Sequence, residues 1–340
     1  MRKLALLGVL VLLTICQSAN AQPAEVQLRL EYKFPPPDSL APDYYFAHIT
    51  DIELLNDGLI AVLDQRQNSL FVVDQQGELV STVGQKGQGP GEFSWPWEVE
   101  YDDANRLLWV MDAGRLQAFH RDGFSFSHSL RPAEVRPRDV VALNGDLYIS
   151  GTSAHVEPLV YRYSSEGEQL GTLGSHIQRQ VGRYGQALYK MGDLAGVAQE
   201  PGSLRFFYAY SMFNDIIVLD DNSQRVVHCD YPTIVEQDAE NTRKAEDWPD
   251  PDDGPTPLIL IGDIFPVSDR LFVSVVYGTH QKETPILELD LQGRVQRIWR
   301  VPADYLGVRA FAVQMQGDEP VFWVGWSSLR ETSIGRFVRR

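Results

Sequence analysis

Asp51-Ile52-Glu53-Leu54-Leu55-Asn56-Asp57-Gly58-Leu59-Ile60-Ala61-Val62-Leu63 decides how this chain is read. Two runs of β-favouring apolar residues flank Asn56-Asp57-Gly58, a hairpin turn of residues that tolerate positive φ. Beyond the polar loop Asp64 to Asn68, Ser69 to Asp74 reads as a third strand. Gln75-Gln76-Gly77 turns, and Glu78 to Val83 is a fourth. Ile49 to Val83 is thus one four-stranded meander, and the same succession of strands and turns recurs every roughly 40–55 residues.

The second copy comprises Trp97 to Tyr101, Leu107 to Met111, Arg115 to His120 and Phe124 to Leu130. The third comprises Arg138 to Leu143, Asp146 to Gly151, Leu159 to Tyr163 and Glu168 to Leu173, with Asn144-Gly145 and Glu166-Gly167 as turns. Leu194 to Gln199, Ser203 to Tyr210, Asp215 to Leu219 and Gln224 to Cys229 make a fourth. A fifth has Leu258 to Phe265, Arg270 to Tyr277, Pro285 to Asp290 and Arg294 to Trp299.

The sixth copy lacks one strand: Val308 to Met315, Pro320 to Trp326 and Thr332 to Val338 supply three, and the sequence stops. Val26 to Phe34, at the other end, is a strand without a copy of its own. Three strands at one terminus and one at the other are what a ring needs in order to close without an open sheet edge. The pattern predicts an all-β fold, a six-bladed β-propeller of four-stranded antiparallel blades closed by an N-terminal strand that pairs into the last blade. The Pro- and Asp-rich stretch Tyr231 to Pro257 reads as a long inter-blade loop, because the repeat keeps its phase across it. A β-sandwich followed by a second domain would need a linker there instead.

Residues 1–21 read as a separate unit. Arg2 and Lys3 precede an apolar run, Leu4 to Ile15, and Ala19-Asn20-Ala21 has the small residues of a signal-peptidase site. The run is too short to span a bilayer comfortably. The expectation is a secretory signal peptide over 1–21 and a single propeller domain over 22–340, periplasmic or extracellular, with no transmembrane segment in the mature chain. Lipoprotein anchoring at Cys16 is an alternative, although Ile15 is larger than a lipobox wants. Cys229 is the only other cysteine, so stability must come from the core rather than from a disulfide. The net charge is −16, and −18 without Arg2 and Lys3. Such a surface repels phosphate backbones and argues against nucleic acid as a partner.

Gly84-Gln85-Lys86-Gly87-Gln88-Gly89-Pro90-Gly91-Glu92-Phe93, followed by Trp95-Pro96-Trp97 and by Leu108-Trp109-Val110-Met111-Asp112, is the most distinctive stretch. It resembles the G-x-x-G-x-G-P-G-E-F and x-V-x-D pattern of NHL-like six-bladed propellers, the bacterial exported members in particular. The signature occurs once. The glycines serve a turn from an outer strand back to the axis, and Phe93 is expected to plug the gap between blades. A phosphate loop is not indicated, since no Lys-Ser/Thr follows and no helix opens there.

In a propeller the inter-blade connections crowd one end of the central channel. Here those at 174–193, 231–257 and 302–307 are long, which marks that end as the working face. Candidate ligand-binding residues there are His48, Trp95, Trp97, Arg138, His155, Lys190, His280 and Arg309. His48, His155 and His280, in alternate copies, would form a metal site only if they bent inward to a common point; otherwise they are solvated loop histidines. Arg138, Lys190 and Arg309 would suit an anionic ligand, or pair with neighbours such as Asp139 and Asp193. Trp95 and Trp97, with Tyr44, Tyr45 and Phe46, would make a platform for a sugar or peptide, unless buried between blades. Trp299, Trp323 and Trp326 read as core. Asp250-Pro251-Asp252-Asp253-Gly254 is a poor calcium loop, lacking its terminal Glu.

No G-x-S-x-G, H-E-x-x-H or C-x-x-C motif occurs, and no spacing by itself selects an acid–base pair. The catalytic residues are unknown and no cofactor is predicted. The expectation is an exported binding module that recognises a protein, peptide or glycan at the long-loop face without turnover. The alternative, implied by the resemblance, is a propeller enzyme of the lyase or lactonase type with a divalent metal at the channel mouth.

Overall fold

The computed structural model describes residues 22–35, 44–152, 158–178, 191–199, 202–221, 223–246, 259–276, 284–302, 308–327 and 331–340. The signal-peptide reading, the Cys16 alternative and the Asp250–Gly254 run lie outside them.

The repeat is a ring of four-stranded antiparallel blades. Blade 1 is β2 (Ile49–Leu54), β3 (Ile60–Asp64), β4 (Ser69–Val73) and β5 (Leu79–Val83). Blade 2 is β6 (Pro96–Asp102), β7 (Leu107–Asp112), β8 (Arg115–His120) and β9 (Phe126–Leu130). Blade 3 is β10 (Arg136–Leu143), β11 (Asp146–Thr152), β12 (Val160–Ser164) and β13 (Gln169–Leu173). Blade 4 is β14 (Gly192–Ala198), β15 (Leu204–Tyr210), β16 (Asp215–Asp220) and β17 (Ser223–His228).

Blade 5 is β18 (Ile261–Val267), β19 (Arg270–Val275), β20 (Thr284–Leu289) and β21 (Val295–Val301). Blade 6 is β22 (Val308–Gln316), β23 (Glu319–Ser327), β24 (Thr332–Arg339) and, as its outermost strand, β1 (Ala24–Phe34). The innermost strands neighbour one another in the cyclic order β2, β6, β10, β14, β18, β22 and back to β2.

Closure follows the expected pattern and adds to it. β1 runs antiparallel to β24, from Leu28 opposite Arg339 to Phe34 opposite Ile334. Its first residues, Ala24 to Gln27, pair in parallel with Arg297 to Arg300 on the outer strand of blade 5. Blades 5 and 6 thereby fuse into one eight-stranded sheet, while blades 1 to 4 remain separate sheets.

The alternation within strands explains why blades stack. A sheet covered on both faces needs apolar residues at odd and even positions alike, and β3 and β4 are buried throughout. Ile60 and Val62 face the cluster shared with blade 6, whereas Ala61 and Leu63 face the one shared with blade 2. The core consists of six such clusters, one in each gap between neighbouring blades. Trp299, Trp323 and Trp326 are wholly buried there, as expected.

The Gly84–Phe93 loop is a structural clasp. Phe93 is buried between blades 1 and 2, edge-on to Phe119, and lies so close to Gly84 that any Cβ at that left-handed position would collide with its ring. Buried Arg115 pairs with Asp112 and donates to the carbonyls of Gln88, Gly89 and Glu92. The amides of Gln88 and Gly89 donate to the Glu92 carboxylate, which occupies the place an external anion would take. Asp112, at the end of the x-V-x-D pattern, accepts from the amides of Ser94 and Trp95, and Asp64 accepts likewise from Ala47 and His48.

One expectation is corrected. The stretch 231–257 is not wholly loop: Pro232–Glu246 forms α1, a helix docked on blade 4. Pro232 suits a first helical position. Ile234 and Asn241, two turns apart, are both fully buried, and Asn241 donates to the Met212 carbonyl. The anchoring face is largely polar, so no apolar period announces the helix.

Candidate binding channel

The six innermost strands have no partner on their axial side, so their edge amides and side chains face the channel and the adjoining blade. In five of the six blades this strand carries a β-bulge, after Ile49, Pro96, Pro137, Ile261 and Val308. The residue left unpaired is Thr50, Trp97, Arg138, Gly262 and Arg309 respectively. A bulge bends its strand and re-aims side chains, and here the next position is acidic in blades 1, 2, 3 and 5: Asp51, Glu98, Asp139 and Asp263. Asp193 supplies the acid in unbulged blade 4, and blade 6 has Ala310.

Part of this ring of carboxylates stitches blades together. Asp51 accepts the amide of Val99 in blade 2 (2.7 Å), Asp139 that of Leu194 in blade 4 (2.6 Å) and Asp263 that of Phe311 in blade 6 (3.2 Å). Glu100 accepts the amide of Ala142 in blade 3 (2.8 Å). Each bond satisfies an edge N–H that the sheet leaves unpaired.

The remaining acceptor capacity opens on a cavity of about 800 Å³ at the axis. Seven carboxylates line it, the five of the ring together with Glu53 and Glu100; Arg136 and Arg138 are the only basic residues that do so among the described residues. Both arginines are exposed, whereas the carboxylates sit deeper, wetted by the channel but enclosed by protein. Enclosure and mutual repulsion disfavour their charged forms. Asp51 and Asp139 are pushed up to about 7 and Glu53 to about 8, against the help of their backbone donors. Burial likewise raises Glu98, Glu100, Asp193 and Asp263 well above the carboxylate range.

Asp139 is only 6% exposed, and its carboxylate takes the Leu194 amide and, more weakly, that of Val140. The group beside it is the Glu98 carboxyl, which bonds to it only when one of the pair carries a proton.

The residues singled out in the sequence fall into three groups. Trp95, Trp97 and Arg138 line the cavity. Trp95 is 61% exposed, and Trp97 is held by its indole N–H on the Arg138 carbonyl (2.9 Å). His48 is half-buried and does not line it. His155, Lys190 and His280 lie outside the described residues, as do the long-loop segments 179–190, 247–258 and 303–307 and the side chain of Arg309. The aromatic platform divides: Tyr44 and Phe46 are buried between blades 6 and 1, and Tyr45 is exposed.

Sequence reasoning missed the carboxylates. Their signal lies in the repeat once the innermost strands are superposed: Asp51-Ile52, Glu98-Val99, Asp139-Val140, Asp193-Leu194 and Asp263-Ile264 share one position, an acid followed by a buried aliphatic residue.

Comparison with known proteins agrees with this architecture. Residues 42–164 match a family described as a six-bladed β-propeller. A crystal structure of a Bacteroides fragilis protein described as exported is similar over 93% of this chain and 98% of its own, at 14% identity and a TM-score of 0.58. A Bacteroides vulgatus protein of a family of unknown function is similar over 94% and 99%, at 10% identity and a TM-score of 0.58. Streptogramin B lyase is similar over 92% and 88%, at 12% identity and a TM-score of 0.51. At these identities the likeness is one of fold. No curated protein matches the sequence. The chain is a six-bladed β-propeller. No helix among the described residues is long and apolar enough to cross a membrane.

Proposed function

We propose that this propeller is an exported, single-domain binding module that takes a protein, peptide or glycan at the mouth of its channel without turning it over. One observation carries the reading: an axial cavity of about 800 Å³, built by all six blades, with a 61%-exposed tryptophan at its edge. A large aromatic face beside a concave polar site is what ligands of this kind bury first. The Gly84–Phe93 clasp supports placing the chain among the NHL-like propellers. A metal-dependent lyase or lactonase is the second reading; of the three histidines it would use, His155 and His280 lie outside the described residues. The acidic channel also disfavours nucleic acid.

Tryptophan fluorescence titrated with chitohexaose, cellohexaose and a panel of hexapeptides tests this. At least one probe should perturb the emission, and Trp95→Ala should weaken that probe about tenfold or more, as for a buried aromatic anchor. Binding that ignores Trp95→Ala, or silence from every probe, would remove the mouth as a site.

A further inference from the structure

We propose that the group received by the channel is a cation on a flexible chain, the primary ammonium or guanidinium of a basic peptide, held by the Glu98–Asp139–Asp193 side of the ring and by the face of Trp95. This rests on the binding reading and narrows it to a ligand chemistry.

Three observations converge on it. Among the described residues, seven carboxylates from five blades face one cavity, and two arginines stand exposed at its rim. Five of the seven have backbone work to do: Asp51, Glu100, Asp139 and Asp263 each accept an amide of the following blade, and Glu53 is bonded by the Tyr101 amide. Glu98 and Asp193 flank Asp139 on the neighbouring strands, so carboxylates of three successive blades stand side by side in the wall. Carboxylates crowded into an enclosed wall are costly to charge, and a ligand cation would offset that cost. Trp95 offers an exposed ring at the same mouth, where an ammonium or guanidinium gains about 0.5–2 kcal/mol from the π-face.

The carboxylates are spread around the wall rather than gathered at metal–ligand distance from one point. That suits a hydrogen-bonding cation of several ångströms' extent better than a bare ion. Neutral sugar hydroxyls would leave the mutual repulsion of the ring unrelieved.

Protons and cations compete for this wall. The groups facing it are Asp51 and Glu53 on β2, Glu98 and Glu100 on β6, and Arg136, Arg138 and Asp139 on β10. Asp193 on β14 and Asp263 on β18 complete them, with Tyr208 on β15 buried in the core within electrostatic reach of Asp193. Because the carboxyls are shifted upward to about 7 and beyond, rising pH strips their protons and exposes charge, so cation affinity must rise with pH. At neutral pH, binding must release protons.

Calorimetry of the mature chain with tri-lysine, tri-arginine, spermidine, tri-glutamate and calcium chloride decides the matter. Tri-lysine or tri-arginine should bind at least about tenfold more tightly than tri-glutamate and about tenfold more tightly at pH ~8.5 than at pH ~6, with buffer-dependent heats that reveal proton release. Glu98→Gln with Asp193→Asn should weaken them about tenfold. These two changes relieve repulsion, so the variant should fold, which circular dichroism verifies. Arg138→Ala should tighten cation binding severalfold.

Tighter binding of spermidine than of either peptide would keep the cation and overturn the peptide. Preference for tri-glutamate, lost in Arg138→Ala, would make the mouth an anion site and overturn the proposal. Calcium binding that the peptides do not displace would also overturn it. Hexasaccharide binding at Trp95 with no response to any cation would refute this inference and leave the binding module standing.

Discussion

The melting temperature is expected to fall by about 5 °C as the pH is raised from about 5.5 to about 8.5. The channel carboxyls are the cause. Asp51, Asp139 and Glu53 hold their protons to about pH 7–8 in the folded chain, and burial raises the four others well above the carboxylate range as well, whereas the unfolded chain releases them near pH 4. Across this window the folded state therefore binds more protons than the unfolded one, and stability declines as pH rises through the folded-state values.

Surface carboxyls shifted the other way do not oppose the trend. Asp122 beside Arg106 and Glu166 on Ser165 are held below their ordinary values. What they contribute is present above about pH 4.5, constant through this window, and lost only on further acidification. In a dry site, a tenfold difference in proton affinity between the folded and unfolded chain is worth about 1.4 kcal/mol. Channel water screens these groups, so the sum is a few kcal/mol rather than tens. Scanning calorimetry at three pH values provides the measurement. Glu98→Gln with Asp193→Asn should flatten the profile and raise the melting temperature at the alkaline end; a wild-type temperature that climbs with pH would disprove the buried-carboxyl account.

Deleting Ala24–Phe34 should abolish cooperative folding, since that one strand closes two blades. It pairs with β24 and with β21, and its loss leaves both edges bare. Leu28 and Phe34, 2% and 1% exposed, fill the gaps between blades 5 and 6 and between blades 6 and 1. Phe34 also lies against Gly77, whose left-handed turn leaves no room for a Cβ. Phe34→Ala alone should cost about 3–5 kcal/mol by the cavity it leaves, and Phe34→Leu clearly less. Urea unfolding of the point variants and the truncation gives the comparison. A truncated chain with an unaltered transition would mean that the N-terminal strand is not part of the closure.

The architecture was legible because it rests on local chemistry. Asn56-Asp57-Gly58 and its counterparts punctuate the strands, and unbroken apolar runs such as Ile60–Leu63 mark sheets covered on both faces. The deficit of one strand after Thr332 has its complement at Val26–Phe34. The parallel pairing of Ala24–Gln27 with blade 5 was not legible, because nothing in a strand's composition reports a second partner. α1 was missed because its buried face carries Asn241 where an amphipathic pattern would show an aliphatic residue.

The site was half legible. Trp95, Trp97 and Arg138 were placed at the mouth by their position before or at the start of an innermost strand. The acidic wall escaped because carboxylates are abundant in a chain of net charge −16, and an acid stands out only when the blades are laid over one another. Asp51, Glu98, Asp139, Asp193 and Asp263 then occupy one place, turned toward the axis by a bulge in every one of these blades but blade 4.

Everything at the mouth depends on a ring that closes through β1, and a disulfide across that junction tests it most directly. Arg29 and Val338 are opposite partners in the β1–β24 ladder, Arg29 exposed and Val338 half-buried. Directly opposed residues bring Cα atoms to about 4.5–5.5 Å, within disulfide range. Cys229 will not interfere, because burial pushes its thiol up to about 12. The mature Arg29→Cys, Val338→Cys chain should oxidise to a monomer that melts several degrees above its reduced form. Thiols that stay free, or that join only between molecules, would contradict closure and with it the channel.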